Sequence, residues 1–301
     1  MEVDFSLATL FHVELNEILA EDEIAPISPT EAEAIINRSP GPNDPPWSAF
    51  SAIGVWIASV LLILIVPTVI LLPYLAMQDG VLTDSQVLAD FARTDVIAII
   101  LQIAAIVPAH ILTLLVAWAV VTRWWKFSFF KMLGWENGGF VWWHYVVILV
   151  AFFVFAALVG NYFPEKENDL IRILQSSQYA VYLVAIVATL TAPLIEEVVY
   201  RGVLYSAFQR AFGIPAAFAL VTGLFALVHV PQYYPSFSTI FLLTVLSLTL
   251  TAIRVKSNNL LPCVILHTLF NGIQSVFLIL RPDISVPTMP EQAAAILDLI
   301  K

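Results

Sequence analysis

Residues 179–212 read YAVYLVAIVATLTAPLIEEVVYRGVLYSAFQRAF. Up to Ile195 the stretch is apolar over nearly the roughly 20 residues that a membrane-crossing helix needs. Glu196, Glu197 and Arg201 then enter, and apolar residues resume to Phe212. Gly213-Ile214-Pro215 follows, a helix stop and then a helix start. The expected structure is a long helix, a turn at Gly213 and a second helix running back.

Similar apolar runs recur on both sides. Candidate spans are 47–76, 95–121, 140–160, 179–195 continuing to 212, 214–230, 237–253 and 259–280. The fold class expected is all-α: a polytopic transmembrane helix bundle of about seven spans, with eight as the upper count. Pro67 and Pro73 predict a tilt or kink in the first. Composition agrees. The 301 residues are 60% hydrophobic and 12% charged, with mean hydropathy +0.88. Soluble domains are about 45–50% apolar and about 25% charged. Too little polar surface remains to cover a globule, so lipid must solvate the chain.

The net charge of −10 is local. Residues 1–46 carry ten acids and one base, Arg38, which accounts for −9 of it. The chain divides into an acidic cytoplasmic tail with a Pro-rich linker (1–46), N-terminal spans (47–178), a core (179–281) and a C-terminal tail (282–301). Within the acidic tail, 4–22 suggests a loose amphipathic helix, and Ser28-Pro29-Thr30-Glu31 matches a capping box. Such an arm suits a protein partner better than anionic lipid. There is no basic patch, so nucleic acid is not an expected partner. No secretory signal is visible. The single cysteine, Cys263, reads as a packing residue.

Basic residues in short loops set the orientation. Arg123, Lys126 and Lys131, then Arg210, then Arg254 and Lys256 fall on one side if there are seven spans. That side is expected to be cytoplasmic, with the N-terminus there and loop 161–178 outside. Trp124, Trp125, Trp135, Trp142 and Trp143 form an interfacial belt around the first basic loop.

Ionisable groups at membrane depth are costly and therefore candidates for function. Glu196, Glu197, His229 and His267 stand out, with Arg201 and Asn271 beside them. Glu197 and Arg201 are i and i+4, so they can pair on one helix face. Glu196 points about 100° away and lacks that partner, which suits a general base. The competing reading puts these charges on a cytoplasmic amphipathic helix, Val198 to Phe212. Depth favours a site. Glu196 lies 17 residues before Gly213 and His229 16 after it, so both sit roughly 24–26 Å from the turn. His267 lies roughly 14 Å past Asn258, a looser match. His267 and Asn271 share a helix face and can aim donors at one point, as an oxyanion hole requires. Phe225 and His229 are likewise i and i+4. His110, just after Pro108, is expected to bond a freed backbone carbonyl.

Glu196-Glu197-x-x-x-Arg201, Phe225-x-x-x-His229 and His267-x-x-x-Asn271, in that order, resemble the three motifs of the CPBP intramembrane endopeptidases. That family includes CAAX prenyl endopeptidases and bacterial immunity-type proteins. The resemblance covers about 179–281. It implies an intramembrane endopeptidase in which Glu196 activates water and His229 positions it. His267 and Asn271 would stabilise the oxyanion, and Glu197, Arg201 and Phe225 would support them. It also implies no cofactor and a membrane-protein or CAAX-type lipidated substrate. The nearest rival is zinc held by Glu196, His229 and His267, a His₂Glu set. An ion-coupled transporter and an immunity or scaffold factor are the non-proteolytic rivals, and neither requires Asn271.

Overall fold

The computed structural model describes residues 40–280. The candidate helices at 4–22 and after Ser28, and the C-terminal tail, lie outside those residues. All the long elements are helical. The first two passes are α1 (Ala49–Ala76) and α3 (Val96–Thr122), with the short amphipathic α2 (Ser85–Thr94) between them. After α4 (Phe129–Leu133) comes α5 (Trp142–Tyr162), then a second short amphipathic helix, α6 (Asp169–Ser176). Neither amphipathic helix was read from sequence. The core begins with α7 (Gln178–Ile186) and ends with α10 (Phe237–Ser257) and α11 (Leu261–Leu280).

Between α7 and α10 one helical rod changes pitch twice. A π-turn at Val187–Thr191 precedes α8 (Ala192–Glu197), and a second π-turn at Val198–Leu204 precedes α9 (Tyr205–Tyr233). Among the described residues, six helices are long and apolar enough to cross a membrane, counting Gln178–Tyr233 as one. That one doubles back. Gly213 has φ 80° and ψ 168°, a conformation that favours glycine, and Pro215 restarts the helix. Phe225 then packs on Tyr200 and Arg201, which lie as far before the turn as it lies after. The rod is a hairpin, so the described residues make seven passes. α1 runs 28 residues through both Pro67 and Pro73. Leu64, Ile65 and Val69 on α1, and Ile111 and Leu115 on α3, stay exposed, as lipid-facing side chains would.

Helix starts are fixed by side chains that accept otherwise orphaned amides. Asp84 caps α2, Asp95 caps α3, Asn168 caps α6 and Ser177 caps α7. The last pass is set differently. The Gly134 carbonyl, from the loop after α4, accepts the Leu260 and Leu261 amides at 2.7 and 3.2 Å. Any side chain at Gly134 would strike the Asn259 backbone. This loop therefore fixes where α11 enters the bundle.

The main core lies around the hairpin. Trp47, Leu133, Val199, Val203, Leu204, Phe208, Val221, Phe225 and Leu260 are buried together. Pro40 to Trp47 is strapped onto that hairpin. Trp47 Nε1 donates to the Val203 carbonyl at 3.0 Å. Arg210 donates to the Pro45 and Trp47 carbonyls. Arg254 donates to the Pro42 carbonyl at 2.7 Å and to Asn43 Oδ1 at 3.1 Å. The sequence reading had Arg210 and Arg254 as loop cations. Arg254 is in fact fully buried, because Ser206 Oγ and the Arg201 carbonyl also need its donors.

Candidate functional site

The glutamate pair owes its setting to Pro193. Proline has no amide proton, and its ring crowds the carbonyl four residues back. The helix answers by widening. The Ala192 amide bonds to the Val187 carbonyl, five residues earlier. The second π-turn, in which the Tyr205 amide bonds the Tyr200 carbonyl, lies beyond the reach of Pro193. α8 is a short α-helical segment held between two π-turns.

Glu197 and Arg201 form the ion pair expected from their spacing. Arg201 Nη1 donates to Glu197 Oε1 at 3.0 Å, and both side chains are wholly buried. The remaining guanidinium donors reach α10: Nη2 bonds the Ser247 carbonyl at 3.0 Å and Ser247 Oγ at 2.7 Å, and Nε approaches Thr251 Oγ1 at 3.4 Å. Its carbon stands 4.8 Å from the centroid of the Phe225 ring. The pair has a third member that spacing could not reveal. His267 Nδ1 donates to Glu197 Oε1 at 2.8 Å. A carboxylate only accepts, so the proton is on Nδ1 and His267 turns Nε2 the other way.

That way lies Glu196. Its Oε2 is 3.8 Å from His267 Nε2, and its side chain keeps 25% of its surface exposed. Glu197 is thus a buried anchor, while Glu196 opens onto accessible space. The depth mismatch for His267 disappears as well. The Gly213 turn stands beyond the start of α11, because Gly202 packs on Leu260. Measured from Val203, Glu196 is about 10 Å inward, and measured from Leu261, His267 is about 9 Å inward.

The other two motif residues are less direct. His229 Nδ1 donates to the Phe225 carbonyl at 2.7 Å, which leaves Nε2 as an acceptor. Among the described residues, His229 makes no bond to either glutamate. Asn271 Nδ2 gives one proton to the Ala188 carbonyl of the first π-turn at 2.8 Å. It retains a second. Phe225 is fully buried beneath these groups, with ring centroids 4.6 Å from His229 and 6.3 Å from His267.

His110 departs from expectation. Its Nδ1 lies 2.9 Å from Thr191 Oγ1 and does not bond a carbonyl freed by Pro108. Tyr200 packs edge-on against Phe225 at 5.1 Å and Tyr233 stacks on His229 at 6.3 Å, so both tyrosines, like His110, adjoin the elements that carry the motifs. No motif flagged these three. Pro193 and the buried polarity of His110 were the available signals. As for the His₂Glu set, no three His, Cys, Asp or Glu side chains among the described residues are grouped to hold a metal ion.

Residues 178–273 match the family model described as Rce1-like, Type II CAAX prenyl endopeptidase Rce1-like. This is the family that the three motifs resemble, and the match spans all of them. No curated protein and no solved structure matches the chain.

Proposed function

We propose that this chain is an integral membrane endopeptidase that hydrolyses a peptide bond in a membrane-associated protein, with Glu196 as the base that activates water and no metal ion. The observation that carries the reading is the contrast between the two carboxylates. Glu197 is locked to Arg201 and His267, and the half-open Glu196 faces His267 Nε2 at 3.8 Å. The match over 178–273 adds a CAAX-type lipidated protein as the substrate class.

In the proposed reaction, water attacks the scissile carbonyl carbon and gives its proton to Glu196. His229 Nε2 accepts a hydrogen bond from the O–H that the water keeps, and so aims the attack. Glu196 passes its proton to His267 Nε2. That nitrogen then becomes a donor, first to the oxyanion and finally to the leaving amine. The free proton of Asn271 supplies the second oxyanion donor. Glu197, held by Arg201, fixes the His267 ring so that only Nε2 takes part, and Phe225 supports both imidazoles.

The test is cleavage of a prenylated peptide and of its unmodified twin by purified protein, with and without a chelator. Glu196→Ala is expected to lose about 100-fold or more in kcat, the scale of a missing general base. Wild type is expected to ignore the chelator. Loss on chelation that zinc restores would replace this mechanism with a metal one. Equal activity in Glu196→Ala would remove Glu196 from the chemistry.

A further inference from the structure

The second pass lies outside the matched residues, yet it sets one ring against the glutamate-bearing rod. His110, on α3, is buried, and its Nδ1 contacts Thr191 Oγ1 at 2.9 Å. The Thr191 hydroxyl has a single proton, and that proton goes to the Val187 carbonyl at 3.2 Å. The bond between the two side chains is therefore donated by the ring, from Nδ1–H. Thr191 closes the first π-turn, and Glu196 follows five residues later.

The same π-turn is held from the opposite side by α11. Asn271 bonds the Ala188 carbonyl, and Thr189 Oγ1 donates to Ser275 Oγ at 2.9 Å. A π-turn carries one more residue than an α-turn. If it reverted to α geometry, everything beyond it would rotate by about 100°. Such a rotation would take Glu196 away from His267 Nε2 and Glu197 away from Nδ1.

We propose that His110 is a positioning residue for Glu196: by donating Nδ1–H to Thr191 it clamps the π-turn that aims Glu196, and not Glu197, at the reaction space. The proposal rests on Glu196 being the base. It makes the second pass part of the active machinery and gives the His110–Thr191 pair an effect on turnover and little effect on substrate binding.

The test compares His110→Leu, His110→Asn, Thr191→Val, Thr191→Ser and the His110→Leu/Thr191→Val double variant. Asn keeps an N–H donor near the place of Nδ1, and Ser keeps the hydroxyl. His110→Leu and Thr191→Val are each expected to lower kcat by about 10–100-fold, the effect of a small misplacement. KM should stay within about twofold. The double variant should fall no further than the worse single, since both break one link. His110→Asn and Thr191→Ser should stay within about threefold of wild type. Amide hydrogen exchange across 188–197 should speed up in His110→Leu and Thr191→Val and not in Glu196→Ala. Unchanged exchange, losses that multiply in the double variant, or an effect on KM alone would overturn the proposal. If His110→Leu does not fold, Thr191→Val against Thr191→Ser decides. If wild type cleaves nothing, the proteolytic reading fails, and hydrogen exchange still decides the clamp.

Discussion

Two neighbouring carboxylates in one helix have opposite fates. Glu197 is buried with Arg201 and His267, and its Oε2 has no partner among the described residues. Glu196 is part-exposed and bonded to nothing within hydrogen-bond range among them. Removing one member of a buried ion pair leaves the other as an uncompensated charge and costs about 3–5 kcal/mol. Glu197→Ala is therefore expected to destabilise strongly, and Glu197→Ala/Arg201→Met should recover part of the loss. Glu196→Ala should shift stability by about 1 kcal/mol or less. Denaturant unfolding in detergent measures all three. Equal destabilisation by the two glutamate variants would contradict the division of roles. At this scale the sequence was informative about residue types and spacing. Glu196, His229, His267 and Asn271 stood out as candidates, and the Glu197–Arg201 pair followed from its spacing. The bond from His267 to Glu197 was not, because it joins residues 70 apart on different helices. Helix periodicity says which residues share a face but not which face meets another helix.

Elements were legible where a span needed length and a turn needed glycine. The predicted spans 95–121 and 140–160 correspond to Val96–Thr122 and Trp142–Tyr162, and the Gly213 turn stands where it was read. The π-turns were missed because Pro193 announces a distortion without saying which kind. α2 and α6 were missed because short amphipathic helices look like polar loops when the search is for apolar length. The strap was missed because a proline-rich run gives no sign of the arginines that hold it. Arg254 makes four hydrogen bonds and stacks on Tyr205 at 5.2 Å. Arg254→Ala would take a donor from the buried Arg201 carbonyl and Ser206 Oγ, at about 1–3 kcal/mol for each buried group, and would release the part-buried Pro42 carbonyl. It is expected to lower the melting temperature and to speed proteolytic cutting within 40–47. Arg254→Lys should not rescue it, since an ammonium cannot reproduce the fork. Unaltered cutting would mean the strap holds without Arg254.

Among the described residues, the two ends of the passes differ in net charge. Arg123, Lys126, Lys131, Arg210 and Lys256 outnumber Asp44 and Glu136 at one end. Asp79, Asp84, Asp90, Asp95, Glu165, Glu167 and Asp169 outnumber Arg93, Lys166 and Arg172 at the other. The positive-inside rule leads us to expect the basic end, with the strap and the Gly213 turn, on the cytoplasmic side. Cys263 is fully buried, so introduced cysteines can be labelled with little background. An impermeant maleimide is expected to label Arg172→Cys in intact cells, and Lys126→Cys only after permeabilisation. The reverse pattern would invert the topology. The seven-pass, all-helical plan was legible from hydropathy because lipid punishes any other arrangement of so apolar a chain.

His267 rides on the last of the described passes, and this bears on how the protein is made. A ribosome that has extruded the chain as far as Leu260 has already released both glutamates, Arg201 and His229. Glu197 then has no imidazole to hold, and Glu196 has none to face. On the proposed mechanism the nascent molecule is proteolytically silent until α11 slots in beneath the Gly134 carbonyl. Membrane insertion of α11 would itself be the activation step.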